Sequence, residues 1–547
     1  MDGSGLLYED LDLVGTSRWA GSPSSVATDG AAIRERMGEL RAPLYVLRVG
    51  ERIGVSGEGG PATGTDRAGA ELPLLATAHP APAERLGDHG FRRAYGVRLA
   101  YMAGAMANGI ASEDLVIALG RAGMLGSFGA AGLAPRRIEA AIDRLQSALP
   151  DGRFACNLIH SPAEEAIERA TVELYLRRGV RTVEASAFLD LTPHVVRYRV
   201  AGLSLGPDGA IVARNRVIAK VSRREVADRF MAPAPARVLA ELREQGLISE
   251  LQARLAERVP LCDDLTAEAD SGGHTDNRPL VCLLPALLRA RDEMQERHRY
   301  LQPVRVGAAG GIGTPEAALA AFSMGAAYVV TGSVNQSCRE AGASAHTKRL
   351  LSQADSADVA MAPAADMFEL GVRVQVLRRG TFFPQRAQRL HELYREYDAL
   401  ESLPAADRDR LERQWFRRSL EDVWQDACTF FAARDPEQLA RAAENPKRKM
   451  ALVFRWYLGL SSRWSNEGEQ GREMDYQIWC GPAMGAFNAW VRGSYLEDPL
   501  VHGVEEVGEA IMAGAAYLAR VQVLRSQGVV VAPELGVRLE RVKAGSA

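Results

Sequence analysis

Two glycine turns and a histidine loop are the features of this chain whose residue types point to chemistry. The stretch Val306-Gly307-Ala308-Ala309-Gly310-Gly311-Ile312-Gly313-Thr314-Pro315-Glu316 reads as a strand entering a glycine turn. Thr314 then suits the N-cap of a helix and Pro315 its first position. Glycines let backbone N–H groups approach an anion, and the new helix adds the positive end of its dipole. Thr331-Gly332-Ser333 supplies a second small turn, and the two together read as one phosphate cup. Either turn alone is as well explained by steric need for glycine. Glu268-Ala269-Asp270-Ser271-Gly272-Gly273-His274-Thr275-Asp276 puts an imidazole on flexible, glycine-rich backbone. Histidine trades a proton near neutral pH, which suits a general acid or base. The plainer reading is a loop histidine bonded to Asp276 or Asp270. No second histidine stands at ligand spacing, so metal binding is set aside.

Weaker signals accompany these. Met102-Ala103-Gly104 closes a run of small residues and Met that leaves room for a flat ligand, with ordinary core as the competing reading. Asn157 and Lys220 each end an otherwise apolar run. Buried polar groups need partners, and the hydrogen-bonding edge of a ligand would serve. For Lys220, Glu184 on the neighbouring predicted strand is an equal candidate. Pro446-Lys447-Arg448-Lys449 reads as a solvated helix start, and Asp475–Asn488, dense in aromatic and small residues, as an interface or pocket lining.

The elements that position these residues follow from periodicity. Short apolar runs fall at Val97–Ala103, Met124–Phe128, Phe154–Ile159, Thr182–Ser186, Val217–Val221, Val259–Leu265, Val304–Ala309 and Tyr328–Thr331. Helically spaced segments separate most of them: Ala134–Ala148, Pro162–Arg178, Ala234–Glu257, Leu283–Arg297 and Pro315–Met324. Strand alternating with helix predicts right-handed βαβ units and a parallel sheet. Eight units over roughly 240 residues match a (β/α)8 TIM barrel, in which the loops after strands seven and eight are the usual phosphate site. Gly206-Pro207-Asp208-Gly209 marks a hairpin decorating the fourth or fifth unit. Residues 1–95 read as a separate β/loop region with one strand, Pro43–Val49, and loops at Gly21–Ser25 and Gly54–Gly69. Beyond about Cys338 the strands are expected to stop. The barrel is thus expected over 96–340 and an α-helical domain over 341–547, where six of the seven Trp cluster.

Composition bounds the class. The chain has 547 residues, 47% apolar and 25% charged, which is ordinary for a globular protein. A net charge of −3 gives no global reason to bind nucleic acid. No stretch approaches the ~18 uninterrupted apolar residues of a membrane span. The acidic N-terminus is unlike a secretory signal, and six Cys without a CxxC pair read as free thiols, so a cytoplasmic setting is expected.

Taken in order, these motifs resemble the FMN-dependent barrel family of nitronate monooxygenases and flavin-type enoyl-acyl-carrier-protein reductases. The resemblance rests on Met102-Ala103-Gly104, Gly272-Gly273-His274, Gly310-Gly311-Ile312 and Thr331-Gly332-Ser333. It implies that the first group lies beside the flavin, that His274 is the active-site histidine, and that the two glycine turns bind the FMN phosphate. Asn157 and Lys220 fall where the family places flavin contacts. Tyr101 departs from the family's usual Pro before Met, which implies an altered pocket. Asp475–Asn488, with Gly380-Thr381-Phe382-Phe383-Pro384 upstream, is similar to the trans-acting enoyl reductases of polyunsaturated fatty acid and polyketide synthases. That branch implies hydride transfer from NADPH or NADH through FMN to an enoyl thioester on an acyl carrier protein, with a homodimer as the suggested assembly. The alternatives are a nitronate monooxygenase using FMN and O2, and a non-catalytic synthase component lacking flavin.

Overall fold

A computed structural model describes residues 5–8, 17–62, 70–162, 164–537 and 539. Eight parallel strands close into a barrel in sequential order: Tyr101–Ala103, Leu125–Phe128, Phe154–Ile159, Thr182–Ser186, Arg216–Val221, Asp264–Glu268, Arg305–Ala309 and Val329–Thr331. The third and fourth match their expected runs residue for residue. The sixth starts later than expected, because Leu261 and Cys262 are buried as a loop bonded to Ala232 and Phe230. The Ala234–Glu257 helix divides into Ala236–Glu244 and Glu250–Ala256 around Gly246, whose φ of +68° no helix accommodates. The predicted hairpin is present as Leu203–Leu205 paired with Ile211–Ala213. The helix expected from Pro162 runs over Glu165–Arg178, and residue 163 lies outside the described residues.

One end of the barrel is plugged. The helix His89–Tyr95 stacks Phe91 on Tyr328, with ring centroids 4.2 Å apart, against interior residues Met102, Leu125, Ile218 and Val330. Tyr95 donates to Asp264, whose carboxylate takes a bidentate pair from Arg305 at 2.6 and 2.7 Å. The buried carboxylate is thus satisfied on both oxygens, which offsets its desolvation. With that end filled, only the mouth at the strands' carboxyl ends is left for a ligand.

After the eighth strand the chain leaves on a long excursion. The expectation that strands stop there is overturned: Val359–Pro363 and Arg373–Leu377 pair with each other and then with Gly273–His274 in a three-stranded antiparallel sheet. Packed around it are helices including Phe383–Glu396, Leu420–Arg434 and Pro446–Glu467. The excursion ends in Val504–Arg525, which packs on the seventh-unit helix Pro315–Ser323 and on the first-unit helix Glu113–Arg121. This helix fills the eighth place in the barrel's outer ring. The contact is close because Gly514 faces Pro315, where a Cβ would lie 2.5 Å from the ring. By length and composition it would cross a membrane, but more than half of its apolar window is buried in the fold.

The N-terminal region holds more structure than the single predicted strand. Five strands form one antiparallel sheet: Arg52–Ser56, Leu44–Val49, Ala70–Ala78, Arg18–Gly21 and Gly60–Pro61, in that order. The predicted loops at 21–25 and 54–62 are therefore partly strand, while 63–69 lie outside the described residues. The sheet shares its core with Tyr517, Val521 and Leu524 of the last helix, and Val529–Val531 pairs with Leu6–Tyr8. Arg520, almost wholly buried, donates to four carbonyls between Met37 and Ala42. The N-terminal region is thereby clasped to the barrel's eighth helix.

Candidate active site

A cleft opens at the barrel's carboxyl-end mouth, lined from several strand ends at once. Gly104, Lys220, Glu268, Gly272, Gly310, Gly311, Ile312, Thr331, Gly332 and Ser333 line it, and Trp479, Gly481 and Ala483 close it from the excursion. Nine of the predicted site residues therefore share one wall. Met102, Ala103, Gly273 and His274 do not: the first two are fully buried on the first strand, and the other two follow Gly272 beyond the wall. Asn157 stands behind the wall, donating to the Glu184 carbonyl and to Ser186 Oγ at 3.1 Å each. Tyr101 points away from the cleft toward Gly508, its hydroxyl bonded to Thr331 Oγ1 at 2.6 Å. The ring serves the seam with the last helix and meets the cleft only through that bond to Thr331.

The two glycine turns lie side by side. Thr314 Oγ1 caps the following helix by accepting from Ala317 N at 3.3 Å, with Pro315 at the first position. Gly310 has φ +86°, and a Cβ there would sit 2.6 Å from the Ala269 carbonyl carbon. Gly310 is therefore glycine for structural reasons. Gly311 shares the left-handed backbone, at φ +73°, but a Cβ on it or on Gly332 meets nothing within 4 Å. Both face the cleft, so their backbones are left open to a ligand. The excursion presses hard on this region: Gly481 N donates to Ser333 Oγ at 2.9 Å, and a Cβ on Gly272 would lie 2.9 Å from Cys480 N.

Three charged groups stand together beneath the turns. Lys220 Nζ lies 3.2 Å from Glu268 Oε1 and 3.9 Å from Glu184 Oε1. The pairing with Glu184 suspected from sequence is real, but Glu268 is the nearer partner. Burial opposes charge on Lys220, and the two carboxylates outweigh it, so its pKa is raised. Glu184 also accepts from Ala105 N at 2.7 Å, tying the first strand's turn to the cluster.

His274 is held differently from expectation. Gly273–His274 is a strand segment paired with Val374 and Gln375, so the loop backbone is pinned. The imidazole Nε2 lies 3.1 Å from Asp366 Oδ1, a residue of the excursion. Asp276 instead holds Arg223 and Ser222, and Asp270 binds Asn277 and Gln375. Although it lies in the protein's depth, the ring keeps 28% of its side-chain area open. Burial works to lower its pKa, but Asp366 and then Glu268 outweigh this and Lys220's opposition, so the pKa is raised. Asp366 is correspondingly lowered despite burial.

Asp366 and Gln375 escaped the sequence reading because each acts across a large sequence separation, whereas Trp479 belongs to the stretch read as an interface or pocket lining. The Asp475–Asn488 motif proves both interface and lining. Thr381 Oγ1 donates to the Met474 and Tyr476 carbonyls, joining it to the Gly380–Pro384 turn. The basic run 446–449 does start a helix, but its charges are engaged, Lys447 with Asp398 and Arg448 with Glu369.

Fold and mouth define an α/β barrel with two open glycine turns and a histidine–carboxylate pair at its carboxyl end. Residues 99–392 match the model of the nitronate monooxygenase family, and the chain belongs to that family. Residues 19–80 match the fatty acid synthase subunit PfaD N-terminal domain, and 397–476 the inserted helical domain of [acyl-carrier-protein] S-malonyltransferase. A polyunsaturated fatty acid synthase subunit from Thraustochytrium sp. is 49% identical over 89% of this chain and 32% of its own length. The polyketide biosynthesis protein PksE of Bacillus subtilis is 46% identical over 80% of this chain and 57% of its own. The chain thus spans about a third to just over half of these two relatives. The crystal structure of the enoyl reductase domain of MlnA, from the macrolactin cluster of Bacillus amyloliquefaciens, superposes with a TM-score of 0.76. It is 38% identical, covering 82% of this chain and 99% of that one.

Proposed function

We propose that this protein is an FMN-dependent enoyl reductase that uses NADPH or NADH on an enoyl thioester carried by an acyl carrier protein. It would act in trans within polyketide or polyunsaturated fatty acid synthesis. The observation that carries the reading is the convergence of two open glycine turns, a largely buried Lys220 and the Asp270–Gly272 segment that leads into His274 on one barrel mouth. Kinship with an enoyl reductase domain along nearly its full length supports the same reading.

The residues fit a flavin phosphate. Gly311 and Gly332 leave space that a Cβ would fill, with backbone N–H groups and Ser333 around it. When bound, FMN supplies the two-electron relay between nicotinamide and substrate. Lys220 keeps a positive charge against the cleft, its cost of burial offset by Glu268 and Glu184. His274, favoured in its charged form by Asp366, holds a proton for the carbon next to the thioester. Trp479 and Gly481 bring the excursion to the mouth, where it would shield a seated substrate from water.

The test is an anaerobic absorbance titration of purified protein with NADPH, then crotonyl thioester. Flavin bands that bleach with the first and return with the second are expected. Return only with O2 and a nitronate would favour the monooxygenase, and a colourless protein that takes up no FMN would leave a scaffold.

A further inference from the structure

The excursion's sheet does more than cover the mouth: its first hairpin reaches the histidine twice. Arg373–Leu377 pairs along Gly273–His274, fixing the histidine's backbone. The turn before it carries Asp366, which meets the same residue's ring at Nε2. Backbone and ring are therefore clamped by one hairpin that the barrel itself does not contain.

We propose that Asp366 is the positioning residue of His274, holding Nε2 and leaving Nδ1 as the nitrogen that works in the cleft. This rests on the reductase reading above. In the step it serves, hydride arrives at Cβ and the π pair of the enoyl bond becomes a carbanion at Cα. The Nδ1–H bond then breaks, a C–H bond forms at Cα, and the ring is left as the neutral Nε2–H form facing Asp366. Solvent restores the proton. The ionisable groups facing the ring are Asp366, Glu268 and Lys220, and Arg455 faces Asp366 from the helix Pro446–Glu467. The carboxylate favours the imidazolium, and the neutral tautomer left after transfer is the one it can still accept from.

Two variants separate geometry from charge in the full-length holoprotein. Asp366→Asn keeps an oxygen acceptor for Nε2 without the charge, and Asp366→Ala removes both. The readouts are 15N-histidine NMR, assigned against His274→Gln, and the pH profile of kcat/KM with crotonyl thioester. NADPH reduction of the flavin serves as the control half-reaction. The wild type is expected to hold the Nε2–H tautomer when neutral. Asp366→Asn should keep that tautomer while its alkaline limb falls by at least half a pH unit. Asp366→Ala should mix the tautomers and lose about tenfold in kcat. Flavin reduction by NADPH should stay within twofold in both. Tautomer and alkaline limb unchanged in both variants would overturn the proposal directly. Wild-type protein inert to every enoyl thioester would overturn it through its premise, and the tautomer signal would show which had failed.

Discussion

Replacing Gly332 by Ala isolates the anion cup from the rest of the fold. Its φ of −134° carries no left-handed penalty, and the added methyl meets no protein atom within 4 Å. Stability should therefore stay within about 0.5 kcal/mol of wild type. The open space at this position is the cleft, so the methyl would occupy room that a bound phosphate needs. Losing one hydrogen bond between a backbone N–H and a charged oxygen costs about 1.5–3 kcal/mol. At 1.4 kcal/mol per decade that is a roughly 10- to 150-fold weaker FMN Kd. The assay is fluorescence titration of apoprotein with FMN, beside urea denaturation of the same apoprotein. Gly310→Ala is the contrast, because its methyl would strike the Ala269 backbone at 2.6 Å in a left-handed conformation. That variant should lose stability before it loses affinity. An unchanged FMN Kd in Gly332→Ala would refute the placement of the phosphate. So would an affinity loss matched by an equal loss of apoprotein stability.

Other perturbations follow from the same contacts. Lys220→Met leaves Glu184 and Glu268 buried without their cation and should cost about 3–5 kcal/mol in urea denaturation at pH 7. Asp276 is held at a pKa of about 2 by its hydrogen bond to Arg223, against burial. Its depressed value means stability present above pH 4 and lost as pH falls through about 2. With a quarter of the side chain exposed, solvent screening reduces that to about 1 kcal/mol. Asp276→Asn should flatten this part of the acid limb and leave stability above about pH 5 independent of pH in this region. Gly514→Val drives its side chain into Pro315 and should cost at least about 1–3 kcal/mol by overpacking. Because Pro315 opens the helix after Gly310–Gly313, the same variant should also weaken FMN in the titration above.

Much of the barrel was legible because its information is local. Phe154–Ile159 is a largely apolar run ahead of a polar helix, and a strand buried on both faces writes itself that way. Thr314-Pro315 likewise announces a helix start whatever the surroundings. The strands Val359–Pro363 and Arg373–Leu377 were missed because they are short and border a long helical stretch. Their identity comes from pairing with each other and with His274's strand. The helix Val504–Arg525 falls in the region expected to be helical, but its place beside Pro315–Ser323 was not legible.

By itself the sequence determined the parallel barrel, the two glycine turns and the residue types at its mouth. Each depends on backbone preferences and periodicities within a few residues. Only the tertiary structure decided that Asp366 serves His274, that Glu268 outranks Glu184 beside Lys220, and that the chain's last long helix completes the barrel. Those pairings are set by where a long excursion returns in space. Charge and hydrogen bonding act over a few ångströms, whatever the distance along the chain.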